Sequence, residues 1–268
     1  MTTGLKGKVA FVTGAAHGQG RAAALALAKE GAHVAALDVA RPLAYPGYEL
    51  GTAGDLDSLA DECRALGAAC LTFAGDVRDD AAVAAAVGAA ARQFGRIDVL
   101  FNNAGICGYG LAHELDEAAW DAMLDINLKG AWLVARRVIP HLIAQKSGVI
   151  INNSSVMGLR GGARLSHYVA SKWGLVGLTK SWAIELAPYN VRVVSIHPTG
   201  VNTPMNDGLA ALEGLTPVEV AARSAGNLLP VPWVEPADVA AAVVFLASDA
   251  ARFVTGSQFV LDAGLLTR

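Results

Sequence analysis

The stretch Val9-Ala10-Phe11-Val12-Thr13-Gly14-Ala15-Ala16-His17-Gly18-Gln19-Gly20-Arg21 decides the fold. Its first five residues are apolar or β-branched, the makings of a buried strand. A glycine-rich turn follows, and an alanine-rich segment of helical period runs on from Arg21. A glycine turn between a strand and a helix lets the backbone approach a pyrophosphate, whose charge then faces the helix N-terminus. Gly14, His17, Gly18, Gln19 and Gly20 are therefore candidate cofactor contacts. The spacing is Gly-x-x-x-Gly-x-Gly, which alone describes any strand-to-helix turn. Its place between the first strand and the first helix gives it weight.

The same alternation continues outward. Short apolar runs recur at Lys8–Thr13, His33–Asp38, Ala69–Ala74, Val99–Asn102, Gly148–Asn153, Val191–Ile196 and Ser257–Leu261. Helix-period segments lie between most of them, at Arg21–Glu30, Asp55–Leu66, Asp80–Phe94, Glu117–Val138, Ser166–Leu186 and Ala237–Ala247. Strands alternating with helices imply right-handed βαβ units. Near-continuous apolar strands imply a sheet covered on both faces. The expectation is an α/β, Rossmann-type doubly wound parallel sheet of about seven strands, one domain over residues 1–268. Two segments break the pattern: an insertion loop at 39–54, rich in glycine and proline and carrying Tyr45 and Tyr48, and a long connection at 201–234, read as a substrate loop. Loops of this length in a compact domain are often lids or binding loops.

Composition narrows the function. With 53% hydrophobic and 17% charged residues the 268-residue chain is not disordered. A net charge of -3 and no basic stripe argue against nucleic acid. The apolar stretches are alanine-rich and shorter than the roughly 20 residues a membrane span needs, and the N-terminus has no signal-peptide core. Cys63, Cys70 and Cys107 are scattered, without metal-ligand spacing, and read as free thiols of a reducing, cytoplasmic compartment. No metal site is expected.

Asp38 closes the second strand, 18 residues past Gly20. A carboxylate there accepts hydrogen bonds from the adenosine ribose and repels a 2′-phosphate, which favours NAD over NADP. Tyr168 and Lys172 stand four apart on a helical segment and share one face. A phenol is a poor base at neutral pH, and a neighbouring ammonium stabilises the phenolate, so the pair can exchange a proton with a substrate. Ser154-Ser155 ends the preceding strand, at the sheet edge where such folds bind ligands.

Together these motifs resemble the short-chain dehydrogenase/reductase family over nearly the whole chain: Thr13-Gly14-x-x-x-Gly18-x-Gly20, Asp76-Val77, Asn102-Asn103-Ala104-Gly105, Asn127, Ser155, Tyr168-x-x-x-Lys172 and the Pro198–Thr203 turn. The serine in such enzymes commonly precedes the tyrosine by thirteen, which selects Ser155 over Ser154. The resemblance implies that Tyr168 exchanges the proton with the alcohol or carbonyl oxygen, that Ser155 hydrogen-bonds that oxygen, and that Lys172 lowers the tyrosine pKa and binds the nicotinamide ribose. It implies that Asn127 supports a water relay to the lysine. Asp76 and Val77 would contact adenine, Asn103, Ala104 and Gly105 would let the cofactor pass, and Pro198, Val201 and Thr203 would meet the nicotinamide end.

The family's usual Pro-Gly is here Pro198-Thr199-Gly200. The string His197–Met205, the turn Gly14–Arg21 and Trp233-Val-Glu-Pro236 are similar to the mycofactocin-associated, carveol dehydrogenase-like branch, whose mark is an extra loop after the second strand. That likeness implies tightly held NAD, a hydrophobic secondary alcohol or ketone as substrate, recycling through the redox carrier mycofactocin, and a homotetramer. The alternatives are an NADP-dependent carbonyl reductase, which Asp38 opposes, and a non-catalytic dinucleotide-binding regulator, which would not need Asn127, Ser155, Tyr168 and Lys172 together.

Overall fold

The buried apolar runs become seven parallel strands in a computed structural model that describes residues 3–224 and 226–267. They are β1 (Val9–Thr13), β2 (His33–Asp38), β3 (Cys70–Ala74), β4 (Val99–Asn102), β5 (Gly148–Asn153), β6 (Val191–Pro198) and β7 (Gln258–Leu261), in the spatial order β3-β2-β1-β4-β5-β6-β7. The helices are α1 (Gly18–Lys29), α2 (Ala53–Ala65), α3 (Asp80–Phe94), α4 (Glu117–Leu124), α5 (Ala131–Gln145), α6 (Ser166–Leu186), α7 (Pro204–Leu212), α8 (Pro217–Ser224) and α9 (Pro236–Ala247). None is long and apolar enough to cross a membrane among the described residues.

Strand alternation sends side chains to two cores. Ala10 and Val12 of β1 pack with α1 and α9 on one face, while Phe11 packs with α3, α5 and α6 on the other. All five residues of β1 are buried, as a strand covered on both faces requires. The strand order reverses between β1 and its neighbours β2 and β4, which opens a crevice beyond the carboxyl ends of these strands.

Two expected elements differ. The segment Glu117–Val138, expected as one helix, is α4 and α5 joined by a wider π-turn at Asp125–Gly130, and α5 continues to Gln145. The connection at 201–234 contains α7 and α8. Two of its four prolines start helices rather than break them: Pro204 is the first residue of α7, Pro217 that of α8, and Thr216 caps α8 by accepting from Glu219 N–H. The insertion ends where Thr52 caps α2.

Candidate functional site

Polar side chains tie the carboxyl ends of the strands together. Asn103 Nδ2 donates to the carbonyls of Thr13 and Gly14, both at 3.0 Å, and the amides of Asn103 and Ala104 donate to Thr13 Oγ1. Asn153 Nδ2 donates to Asn103 Oδ1 at 2.8 Å and to Gln19 Oε1 at 3.0 Å. The ends of β1, β4 and β5 and the start of α1 are thereby held in one piece, and beside them runs a cleft of about 940 Å³.

Gly14, His17, Gly18, Gln19, Asp38, Asp76, Val77, Asn103, Ala104, Gly105, Tyr168, Lys172 and Thr203 all line that cleft. Gly20 does not. A Cβ there would strike the Gly14 carbonyl, so Gly20 serves the close packing of helix on turn, while Gly14 needs its positive φ of 62°. The start of α1 is unlike its neighbours: His17 makes no side-chain cap and no acidic residue occupies the first turn, whereas α2, α3 and α4 are capped by Thr52, Asp79 and Asp116. Uncapped amides suit an anionic ligand. His17 Nε2 and Asn153 Oδ1, both on residues lining the cleft, are buried with no partner. The residues present therefore fit a dinucleotide.

At the adenosine end, buried Asp38 accepts from the amides of Ala16 and Ala40 at 3.0 Å each. Asp76 is held by Arg78 at 2.6 Å and by the exposed Arg41 at 3.4 Å. Burial acts to raise the Asp76 pKa, but the hydrogen bonds and charge of Arg78, helped by Arg41, keep the carboxyl below its usual range.

Toward the other end, Lys172 is 5% exposed, its Nζ donates to the Asn153 carbonyl at 2.7 Å and lies 5.5 Å from the Tyr168 ring centroid. Burial lowers its pKa to about 8. Tyr168 departs from expectation. Burial raises the phenol's pKa, Cys107 adds to the rise, and a hydrogen bond to Ser155 opposes it. Without a ligand, desolvation outweighs any stabilisation of phenolate by the lysine, because the phenolate is itself an anion taken out of water. Ser155, Pro198 and Val201 line not the cleft but an adjoining cavity of about 890 Å³, which shares Gln19, Ser154, Tyr168, Thr203 and Met205 with it. The walls of that cavity include Tyr109, Met157, Leu165, Leu209, Val220 and Trp233. Of the apolar stretch at 209–229, Leu209 and Val220 face the cavity, while Leu212, Leu228 and Leu229 are exposed.

Asn127 reaches neither space. It is buried in the π-turn, where Oδ1 accepts from Ile106 N–H at 2.8 Å and Nδ2 donates to the Ile106 carbonyl at 2.9 Å and contacts Ser171 Oγ at 3.2 Å. Its side chain pins the chain after β4 to the bend.

The insertion lies across the cleft. Leu43, Leu50 and Gly51 line it, and Tyr48 is buried against Cys107 and Leu209. Tyr48 Oη accepts from the Cys107 amide at 3.1 Å, and its ring rests where a Cβ on Gly208 would be. Tyr45 Oη lies 2.8 Å from Nε2 of fully buried His167, the residue before Tyr168. His167, which helix geometry turns away from Tyr168, thus anchors the insertion to α6 instead of lining the pocket.

Two residues that mark the branch resemblance in the sequence gave no sign there of what they do. Trp233 packs its indole on Gly200, which accounts for glycine following Pro198-Thr199. His197 is buried behind Ser155. Both come together only through the tertiary fold. Of the remaining tryptophans, Trp182 is a core residue, whereas Trp120, Trp132 and Trp173 are exposed by 40–49%.

Comparison with known proteins agrees with this geometry. Residues 8–213 match the short chain dehydrogenase family. A (−)-trans-carveol dehydrogenase of Rhodococcus erythropolis is 45% identical over 97% of this chain and 98% of that relative. A carveol dehydrogenase from Mycobacterium avium, solved in complex with NAD, superposes with a TM-score of 0.95 at 39% identity, covering 98% of this chain and 99% of that one. A short chain dehydrogenase from Mycobacterium paratuberculosis bound to NAD gives 0.92 at 33% identity, covering 98% and 99%.

Proposed function

Because the chain belongs to the short chain dehydrogenase family, we propose that it is an NAD-dependent oxidoreductase that interconverts a hydrophobic secondary alcohol and its ketone. The observation that carries this reading is the meeting of Tyr168, Lys172 and the Asp38-bearing cleft at one sheet edge, with an apolar cavity opening beside Tyr168 and Ser155. NAD, when bound, supplies the carrier for the hydride removed from or added to the alcohol carbon. Gly14, His17, Gly18 and Gln19 would hold its pyrophosphate, Asp38 its adenosine ribose, Asp76 and Val77 its adenine, and Asn103–Gly105, Pro198, Val201 and Thr203 the rest of its length. Asp38 disfavours the NADP-using alternative.

The chain's own residues divide the proton work. Tyr168 stays a phenol by burial and so is poised to donate to a carbonyl oxygen. For alcohol oxidation the phenol must first lose its proton. Lys172 is still largely charged at neutral pH and close enough to stabilise the phenolate. Ser155 Oγ accepts from the Met157 amide and its hydroxyl is turned toward Tyr168, where an entering substrate oxygen would take over that donor. The Asn127 side chain is spent on Ile106, so a water relay to Lys172 would run past its main chain.

The strap-like insertion at 39–54, the helical segment at 201–234 and the single domain of residues 1–268 fit the branch in which NAD is held tightly and recycled in place through mycofactocin. The exposed faces of Trp120 and Trp132 give apolar surface for a cytoplasmic homotetramer.

The test is oxidation of trans-carveol and related cyclic alcohols by purified protein with added NAD or NADP, with and without an artificial electron acceptor. NAD-linked turnover is expected, with Tyr168→Phe about 10²–10⁴-fold slower at unchanged NAD affinity. More than about a tenth of parental activity in that variant would remove Tyr168 from its role.

A further inference from the structure

Strand β6 ends in Ser195-Ile196-His197-Pro198. Ser195 and His197 are two apart, on one face, and neither is exposed. The backbone rungs between β5 and β6 end with Ser154 N–H donating to the Ile196 carbonyl at 2.9 Å. Beyond that point Ser155 leads into a tight turn at Val156–Gly158, and the next rung is supplied by a side chain.

His197 Nδ1 lies 2.8 Å from the Ser155 carbonyl oxygen, and Nε2 lies 2.8 Å from Ser195 Oγ. A carbonyl can only accept, so Nδ1 carries the hydrogen, and Nε2 of the neutral ring accepts from the Ser195 hydroxyl. One tautomer satisfies both contacts. Burial lowers the imidazole pKa to about 4; the bond to Ser155 acts the other way, and the charge of Lys172, facing from α6, adds to the lowering. The Ser155 carbonyl also accepts from Gly158 N–H at 2.8 Å, and Ser155 Oγ from Met157 N–H at 3.1 Å. Carbonyl and hydroxyl oxygens are thus both anchored, and the hydroxyl is turned toward Tyr168, beside which a substrate oxygen would meet it.

We propose that His197 is a positioning residue for the reaction: clamped in one tautomer by Ser195, it holds the Ser155 carbonyl from behind and so fixes where the Ser155 hydroxyl meets the substrate oxygen. This rests on the role given to Ser155 above. Displacing a catalytic group by about 1 Å can cost on the order of 10²-fold in rate.

Three substitutions and one spectrum test it. His197→Leu removes the clamp, His197→Asn keeps an amide donor near the place of Nδ1, and His197→Gln moves the donor one bond further out. With carveol as the probe, His197→Leu is expected to lower kcat about 10–100-fold while KM and the dissociation constant for NAD stay within about threefold. His197→Asn should recover most of kcat, and His197→Gln, which replaces the leucine variant if that one does not fold, should not. In a Ser155→Ala background the His197 substitutions should cost little more, since they act through a group already lost. An undiminished cost in that background, or equal loss in all three variants, overturns the proposal. The ¹⁵N resonances of histidine-labelled protein give a reading free of turnover. A protonated Nδ1 and bare Nε2 support the clamp, and a protonated Nε2 at neutral pH refutes it. A wild type that oxidises no secondary alcohol would sink the oxidoreductase reading instead, and the clamp would then stand or fall by the spectrum.

Discussion

Lys172 shows what a buried ammonium costs the fold that carries it. Its pKa falls from 10.5 to about 8 because burial penalises the ammonium. The unfolded chain therefore binds more protons between those values, and stability rises with pH across that window. Below pH 8 the buried charge costs about 3 kcal/mol, and the cost fades as pH climbs toward the unfolded value. Lys172→Met removes it, offset by roughly 1 kcal/mol for the Asn153 carbonyl left without its donor. The variant is expected to be inactive yet to melt about 5 °C higher at pH 7, with the gap closing toward pH 10, as followed by calorimetry. A gap independent of pH would mean that the ammonium is not the source. Asp38 gives a second case. Removing its carboxylate in Asp38→Ala frees the Ala16 and Ala40 amides and leaves the exposed Arg41 nearby, on Asp76. The ratio of kcat/KM for NAD over NADP should drop at least about tenfold, at roughly 1.4 kcal/mol per decade. An unchanged ratio would move cofactor choice elsewhere.

At the scale of elements, legibility followed locality. The strand–turn–helix at Val9–Arg21 and the paired Tyr168 and Lys172 were readable because period and spacing are properties of neighbouring residues. The π-turn at Asp125–Gly130 was not, since Ile126, Asn127 and Leu128 continue a helical pattern and the bend is bought by Asn127 bonding Ile106, far away in sequence. Likewise the rise in the Tyr168 pKa comes from what surrounds it, not from the lysine one turn away. The insertion was recognisable by glycine and proline, but its seat was not: Tyr48 on the Cys107 amide and Tyr45 on His167 are tertiary contacts. Each bond is worth on the order of 1 kcal/mol net, so losing both should cost about thirtyfold in closure. Tyr45→Phe combined with Tyr48→Phe is therefore expected to speed NADH release about thirtyfold, measured by stopped-flow fluorescence. Equally fast release from parent and variant would leave the insertion as surface decoration.

Across the whole molecule, the cleft follows the boundary where the two halves of the sheet, β3-β2-β1 and β4-β5-β6-β7, diverge. The halves share the rungs of β1 on β4 and the Asn103 bonds to Thr13 and Gly14. A dinucleotide lying there would touch α1, β2 and the turn after β3 on one side, and α6 and α7 on the other. It would act as a further brace between halves that the protein already joins through the β1–β4 pair and the packing of α1 on α9 and α3 on α5. Binding to the folded state alone stabilises by about 4 kcal/mol when ligand stands at a thousand times its dissociation constant. For a chain of this size that corresponds to roughly 10 °C in melting temperature. If the strap retains NAD through gel filtration, protein taken straight from the column should melt about that much higher than the same protein stripped of nucleotide. Re-addition of NAD, and not of NADP, should restore the difference. Calorimetry on the three samples, with nucleotide counted by mass spectrometry of the denatured protein, decides the matter. Identical melting with no nucleotide recovered would make the cofactor a freely exchanging co-substrate, and the strap would then have to be explained by the apolar cavity it borders.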